Sequence, residues 1–541
     1  MKSSDCTVII NNIKLPINAS KEEAFSVAKR LLSRAGITLQ GLELSIYRRS
    51  VDARRRDNIC FVYSVAASGI SSDALIDERI RRAGFSRLDG EDLSVTEGCD
   101  VLSAPPVVVG AGPCGLFAAL LLAERGYAPV VIERGSSVAE RRKAVEHFNK
   151  FHILDTDSNI QFGAGGAGTF SDGKLVTRIN DPLTSYVLER FVDFGAQEEI
   201  RYIAKPHVGT DVLCRVVDNM INRIVSLGGR IEYRTKLLGF DSYGGRIGKV
   251  ITDKGSIDAG AVVLAIGHSA RDTYEELISH GVLIEPKPFS VGMRIEHLAA
   301  DIDAAMYGDE AGNPVLGHAE YNLSYDTKNR GVYTFCMCPG GEVVAAASES
   351  GGVVVNGMSY SKRDGKNSNS AVVCSVFKED YGATPMSAIA FQRSIEQAAF
   401  AAGGGEYRAP TVTVGDFLSG KATSEPHRIM PTYMGGSNLK VANPSEYLPE
   451  FVTGAIRCAL VDFDKKIKGF AAHDAVLTGA ETRTSAPVRI LRNNETKLAV
   501  GYDNLYPAGE GAGYAGGISS AAIDGLRCAM EIIKRYKPIT D

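Results

Sequence analysis

Across the first hundred residues the hydrophobic pattern switches between the strand and helix periods. Alternation in CTVIINNIKLP predicts a strand, and KEEAFSVAKRLLSRAG places Ala24, Val27, Ala28 and Leu31 on one helical face before a terminating Gly36. Two strand patterns, LELSIYRR and NICFVYSVAA, flank a charged hairpin, and a short helix, DALIDERIRRAG, precedes a last strand near LSV. That βαββαβ order predicts a small ferredoxin-like α+β domain over residues 1–100. From 105 to 135 the pattern becomes an apolar strand, an apolar helix reaching about Arg125 and a second strand, PVVIE, ending at Glu133. Residues 229–266 add a strand, a turn-rich meander and an apolar strand, AVVLAIG. The carboxy-terminal NLYPAGEGAGYAGGISSAAIDGLRCAMEIIKRY reads as strand, glycine turn and helix. Strands alternating with helices predict an α/β Rossmann-type domain built from two pieces, 101–272 and 500–541. Between them, residues 273–499 carry strand-like runs (VYTFCMC, EVVAAAS, VVVNGM) and are expected to form an inserted, mainly β substrate domain.

The strand-to-helix junction at 110–115 carries the first chemistry. Gly110-Ala-Gly112-Pro113-Cys114-Gly115 has the spacing of a dinucleotide turn. Gly110 allows the tight turn, Gly112 lets a pyrophosphate approach the backbone, Gly115 lets the helix pack on the strand, and Glu133 at the end of the next strand is placed to hold ribose hydroxyls. Strand, glycines, helix, strand and acid in one register make this far more specific than a lone GxGxxG. A second glycine-rich stretch, GAGGAGTFSDGKL, matches the GxxxxGK of a triphosphate loop from Gly168 to Lys174. It fails at Leu175, where a hydroxyl should hold magnesium, and it sets Asp172 among amides meant for phosphate. An ATPase reading is therefore excluded.

Composition narrows the class. The chain of 541 residues is too long for one core and predicts two or three domains. With 60 Lys+Arg against 64 Asp+Glu, the formal net charge of −4 gives no general attraction to nucleic acid or anionic membranes. The ten cysteines are scattered without a Cys-x-x-Cys, so no metal site is expected and a reducing, cytoplasmic setting fits. No stretch approaches the roughly 20 apolar residues of a membrane span, and the amino terminus lacks a signal peptide's apolar run. One local exception is the basic hairpin from Arg48 to Arg56, which supports an alternative reading as an RNA-directed flavoprotein or binding module.

The order of the glycine turn, the middle strand ending Ala265-Ile266-Gly267 and the late Gly509-Glu510 resembles that of FAD-binding flavoproteins of the glutathione-reductase-like superfamily. GAGGAGTFSDGKL, KPFSVGMRIEH and CMCPGGEVVAAASESGGVVVNGMSYSKRDGKNSNSA resemble a bacterial family of FAD-dependent dehydrogenases, also termed NAD(FAD)-utilising dehydrogenases, over nearly the whole chain. The resemblance implies bound FAD and no defined substrate. It implies that Gly110, Gly112, Pro113, Cys114, Gly115, Glu133 and Arg134 hold the ADP half. It also implies that Gly166, Gly168, Thr169 and Lys174 lie in a loop crossing the flavin, and that Gly267, Gly509, Glu510, Gly517 and Ile518 meet the ribityl chain and pyrimidine ring. Glu510 stands where the resembled families carry Asp. No second dinucleotide unit is found, so NADH or NADPH is expected only as a transient electron donor. Candidates for chemistry on a small-molecule substrate are Lys174, His297, His427 and Cys336. Arg483 is a candidate anion contact whose bland reading is a surface ion pair, and packing is the favoured reading of Cys336 and Cys338.

Overall fold

The computed structural model describes residues 5–71, 74–88, 95–176 and 181–539. The amino-terminal unit runs strand Asp5–Pro16, helix Lys21–Arg34, strands Glu43–Asp52 and Cys60–Ser71, helix Ala74–Arg82 and strand Ser86–Leu88. Its sheet is antiparallel throughout, with Cys60–Ser71 and Asp5–Pro16 central and Glu43–Asp52 and Ser86–Leu88 at the edges. Ser20 starts the first helix by accepting from the Glu23 amide while Glu23 accepts from the Ser20 amide, a reciprocal cap written in S-K-E-E. The buried face is Ala24, Ala28 and Leu32, with Val27 and Leu31 packed only partly beside it. The expected strand near LSV falls, but for Val95, outside the described residues, and the fourth strand comes earlier, at Ser86–Leu88.

The basic hairpin is partly engaged within the chain. Arg49 donates its amide to the Tyr202 carbonyl and accepts from the Ala204 amide, and its guanidinium lies against the rings of Phe61 and Tyr202. Arg54 pairs with Asp52 and Arg55 with Asp57.

The second unit holds a five-stranded parallel sheet in the order Leu505–Pro507, Val262–Leu264, Val107–Val109, Val130–Glu133, Arg230–Tyr233. The first four of these strands are short and almost wholly apolar because both faces are covered, whereas the edge strand Arg230–Tyr233 is partly exposed. Helix Pro113–Glu124 is buried from Cys114 to Ala123 and packs against helix Ile518–Arg535, which brings the last stretch of chain back beside the first strand. The turn-rich meander forms a separate three-stranded antiparallel sheet over Leu237–Asp258.

The inserted region corrects two expectations. It is joined to the parallel-sheet unit through the paired strands Ile284–Pro286 and Val488–Ile490, so helix Arg271–Ser279, with Tyr274 and Leu277 in the core beneath Val107 and Val130, stays with that unit. Nor is it mainly β. Its seven-stranded sheet, centred on Phe289–Leu298, Asn367–Val376 and Val476–Glu481, is flanked by helices Pro385–Ala402 and Glu450–Lys466. The first begins at Thr384, whose side chain accepts from the Ser387 amide, with Pro385 in the opening turn. No described helix is long and apolar enough to cross a membrane.

Candidate functional site

A cavity of about 430 Å³ separates the carboxyl ends of the parallel strands from the inserted sheet. Ligands of open α/β sheets sit at this end, where loops diverge and leave a crevice. Two helices begin at the cavity wall without a side-chain cap: Pro113–Glu124 after Gly112, and Ile518–Arg535 after Gly517. The first amides of a helix have no intrahelical acceptor and carry the positive end of its dipole, so each start favours an anion or a polarised oxygen.

The three glycines of the first turn divide the work. A Cβ on Gly110, at φ +104, would lie 2.4 Å from the Ala265 carbonyl oxygen, and one on Gly115 would lie 1.9 Å from that of Gly110. Both are demanded by packing. Gly112 has an ordinary φ of −77, and the nearest atom to its would-be Cβ is 3.7 Å away, so its missing side chain is ligand space. Glu133 accepts from the amides of Ala111, Gly135 and Gly163 at 2.8–3.0 Å, which fastens the turn to the glycine-rich loop. Arg134 pairs with Asp157 and Asp272 above the Phe162 ring.

Arg141, fully buried, shapes the glycine-rich loop by donating to the carbonyls of Asn159, Ile160, Gly163 and Ala164. Burial lowers its pKa to about 10, which leaves it cationic at neutral pH. Farther along, Asp172 is held by Lys174 at 2.7 Å, by Arg363 and by the Ser359 hydroxyl, and Glu320 pairs with Arg363 at 2.7 Å and Lys174 at 3.5 Å. Burial alone would raise the Asp172 carboxyl, but Lys174 and Arg363 outweigh it and hold the group ionised. Lys174 lines the cavity as part of this balanced cluster.

From the inserted region come Thr334 to Met337, Asn356, Glu481, Arg483 and Thr484. Arg294 stands behind them, wholly buried, donating to Glu481 at 3.0 and 3.2 Å, to Asn356 and Asn369, and to the Cys336 carbonyl. Beside it, Glu396 bridges Arg271 and Arg483, with contacts of 2.7–3.1 Å. Arg483 is therefore a buried pairing residue rather than a surface one. On the floor, His268 lines the cavity with a buried Nε2 that has no partner among the described residues, and burial, with Arg483 and Arg271 nearby, lowers it to about 3.

Glu510 lies 3.9 Å from His268, and burial raises its carboxyl to about 7 against the opposing pull of Lys287. A carboxyl raised in the folded state binds its proton more tightly there than when unfolded. The cofactor-free protein should thus lose stability as pH rises from 4.5 through 7. Thermal melts across that range should show a shallower loss for Glu510→Gln, and parallel curves for the two proteins would exclude the effect.

Of the residues expected to hold cofactor, Gly110, Gly112, Pro113, Cys114, Glu133, Arg134, Gly166, Gly168, Lys174, Gly267, Glu510, Gly517 and Ile518 line this one cavity. Three do not. Gly115 and Gly509 serve packing, since a Cβ on Gly509 would lie 2.8 Å from Cys114, and Thr169 is tucked behind the loop against Gly165. His297 is also corrected: it is buried against Phe470, its Nε2 donates to that residue's carbonyl at 2.7 Å, and it does not reach the cavity. His427 is exposed on the surface and likewise absent from the wall. Cys336 is present at the wall, whereas Cys338 is buried behind it.

The sequence matches the family described as FAD-dependent protein, C-terminal domain-like, over 288–484, an FAD-binding domain over 103–150, and a domain of unknown function over 8–68. A protein of Clostridium beijerinckii, itself uncharacterised, is 43% identical over 532 residues, 97% of this chain and 98% of that one. The chain belongs to a family of FAD-dependent proteins. FAD is its cofactor. The cavity fits that cofactor on its own terms: two uncapped helix starts, a glycine whose side-chain space is empty and an orphaned buried imidazole nitrogen. Among solved structures, L-amino acid deaminase from Proteus vulgaris aligns at 15% identity and TM-score 0.33, covering 83% of this chain and 97% of that one. Glycine oxidase from Bacillus cereus aligns at 10% identity and TM-score 0.32, covering 80% and 98%. Likeness at that level has no bearing on the reaction.

Proposed function

We propose that this FAD-dependent protein is an oxidoreductase that receives a small-molecule substrate between the glycine-rich loop and the inserted sheet, in an arrangement of the glutathione-reductase-like kind. The observation that carries the reading is the convergence of two uncapped helix starts on one cavity whose opposite wall is the inserted domain. FAD would supply two-electron exchange there, so the protein need contribute only position and electrostatics. The start of Pro113–Glu124 would hold the pyrophosphate, with Gly112 giving room. The start of Ile518–Arg535 would stabilise negative charge on the pyrimidine edge. Lys174 adds a cation to that wall, while Asn356, whose Oδ1 is taken by Arg294 and the Gly357 amide, would offer its side-chain NH2 to substrate. The amino-terminal unit, of ferredoxin-like topology, would act as a docking or structural appendage, and the setting would be cytoplasmic.

The test is an anaerobic titration of holoprotein with NADH and with NADPH, following loss of the flavin's visible band. One of the two should reduce the flavin. Lys174→Met should keep its FAD, bind no ATP and become harder to reduce, because a cation favouring the reduced anion has gone. No reduction by either nucleotide would remove them as donors, and an unchanged potential in Lys174→Met would place that lysine away from the ring.

A further inference from the structure

Cys336 and Cys338 stand apart from the other cysteines. In a regular strand, residues two apart lie on one face about 6.6 Å from each other, at the far edge of the range a disulfide can span. This strand is not regular there. Phe335 opposes Ala371 and Cys338 opposes Asn369, so three steps on one strand face two on its neighbour, and the segment is compressed into a bulge. Cys336 takes a left-handed φ of 44 inside it. The outcome is one thiol at the cavity wall and a second directly behind: Cys336 lines the cavity with Lys174 and Glu510, while Cys338 is completely buried and its Sγ lies 3.2 Å from the Cys336 carbonyl oxygen. The buried guanidinium of Arg294 reaches that same carbonyl at 2.9 Å and the Cys338 sulfur at 3.8 Å. A hydrogen bond from Cys338, aided by Arg294 and Lys174, overcomes burial and holds Cys336 below its ordinary value, while Cys338 is driven up.

We propose that Cys336 and Cys338 are a dithiol pair that reduces small-molecule disulfides at the wall of the flavin cavity. The proposal rests on the FAD-dependent reading above. The Cys336 thiolate attacks one sulfur of R–S–S–R, forming Cys336–S–S–R and releasing R–S⁻, which takes a proton to become RSH. Cys338 then loses its proton and attacks the Cys336 sulfur, expelling the second thiolate, which is protonated in turn. Substrate has gained two electrons and two protons, and the pair is left as a disulfide. Reduced FAD, itself charged by a hydride donor of the nicotinamide class, returns two electrons and two protons to restore both thiols. Arg294 is a positioning residue that holds the bulge and favours the thiolate; Cys336 is the nucleophile and Cys338 the resolving thiol.

The test reads the thiols directly. Holoprotein is reduced, freed of reductant without oxygen, exposed to bis(2-hydroxyethyl) disulfide and alkylated in denaturant, and the tryptic peptide from Gly331 to Lys362, which contains only these two cysteines, is weighed. Wild type should yield a peptide lacking two hydrogens and carrying no alkyl label. Cys338→Ser should stop at the mixed disulfide on Cys336, and Cys336→Ser should give neither product. Anaerobic photoreduction of the bound flavin should return both thiols in wild type. Full alkylation of both cysteines in an FAD-loaded wild type would overturn the dithiol pair while leaving the flavin reading intact. So would an internal disulfide that survives flavin reduction. A folded protein without FAD would overturn the reading beneath it.

Discussion

Replacing Gly112 by valine should strip the protein of FAD while leaving it folded. The two neighbouring glycines cannot show this, because a side chain on Gly110 or Gly115 would run into backbone oxygen at 2.4 or 1.9 Å and damage the unit itself. Gly112 differs. Its φ of −77 suits any L-residue, and a Cβ there would find nothing closer than the Gly166 Cα at 3.7 Å. The added isopropyl group therefore projects into the space where the pyrophosphate would meet the helix start. Overpacking of about 1–3 kcal/mol corresponds to roughly 5- to 150-fold weaker binding, more if the phosphate loses its amides as well. Flavin content per chain after purification and the thermal midpoint of the cofactor-free protein, compared with cofactor-free wild type, separate the two effects. Normal FAD content in a folded Gly112→Val protein would show that the pyrophosphate lies elsewhere.

Glu396→Gln should cost more stability than any other single change named here, about 3–5 kcal/mol. Glu396 is 1% exposed and is gripped by two arginines that are themselves 1% and 6% exposed, Arg271 from the parallel-sheet unit and Arg483 from the returning strand. An amide can answer only part of that donor set; Arg271 would keep Glu349 at 2.8 Å, but the buried Arg483 would lose the carboxylate it pairs with. The pH dependence follows with a definite sign. Burial by itself would raise this carboxyl, but Arg271 and Arg483 outweigh it and hold it well below the ordinary range. Its stabilisation is thus fully present above the unfolded value near 4.5 and is lost as pH falls toward the folded one. Hydrogen exchange in helices Arg271–Ser279 and Pro385–Ala402 should rise together in the variant. Unchanged protection and an unchanged midpoint would mean that the cluster is dispensable.

How much of this could be read from the sequence depended on how local each signal is. The turn at Gly110, Gly112 and Gly115 and the acid at Glu133 lie within one strand–helix–strand run, and the structure has that run, with Gly110, Gly112 and Glu133 at the cavity and Gly115 packed behind it. Helix Pro385–Ala402 was missed although its cap and opening proline are local. Gln392 and Glu396 interrupt its buried apolar face because both are used by Arg271, and polar residues on a core face hide the helical period. The arginines that build the site had no local signal: Arg363 meets Asp172 from 191 residues away, and Arg271 meets Glu396 from 125. Arg141, on an amphipathic helix, reads in sequence like any solvated arginine. The unequal placing of Cys336 and Cys338 arises from a bulge set by pairing with a distant strand, which alternation alone cannot reveal.

The purified protein should carry its cofactor. Denaturing it, removing the chain and resolving the released chromophore by chromatography should give FAD in about one-to-one proportion to protein, because the uncapped start of helix Pro113–Glu124 and the open space at Gly112 suit the pyrophosphate of a dinucleotide. FMN alone, or a folded and colourless protein that takes up no added FAD, would contradict that expectation.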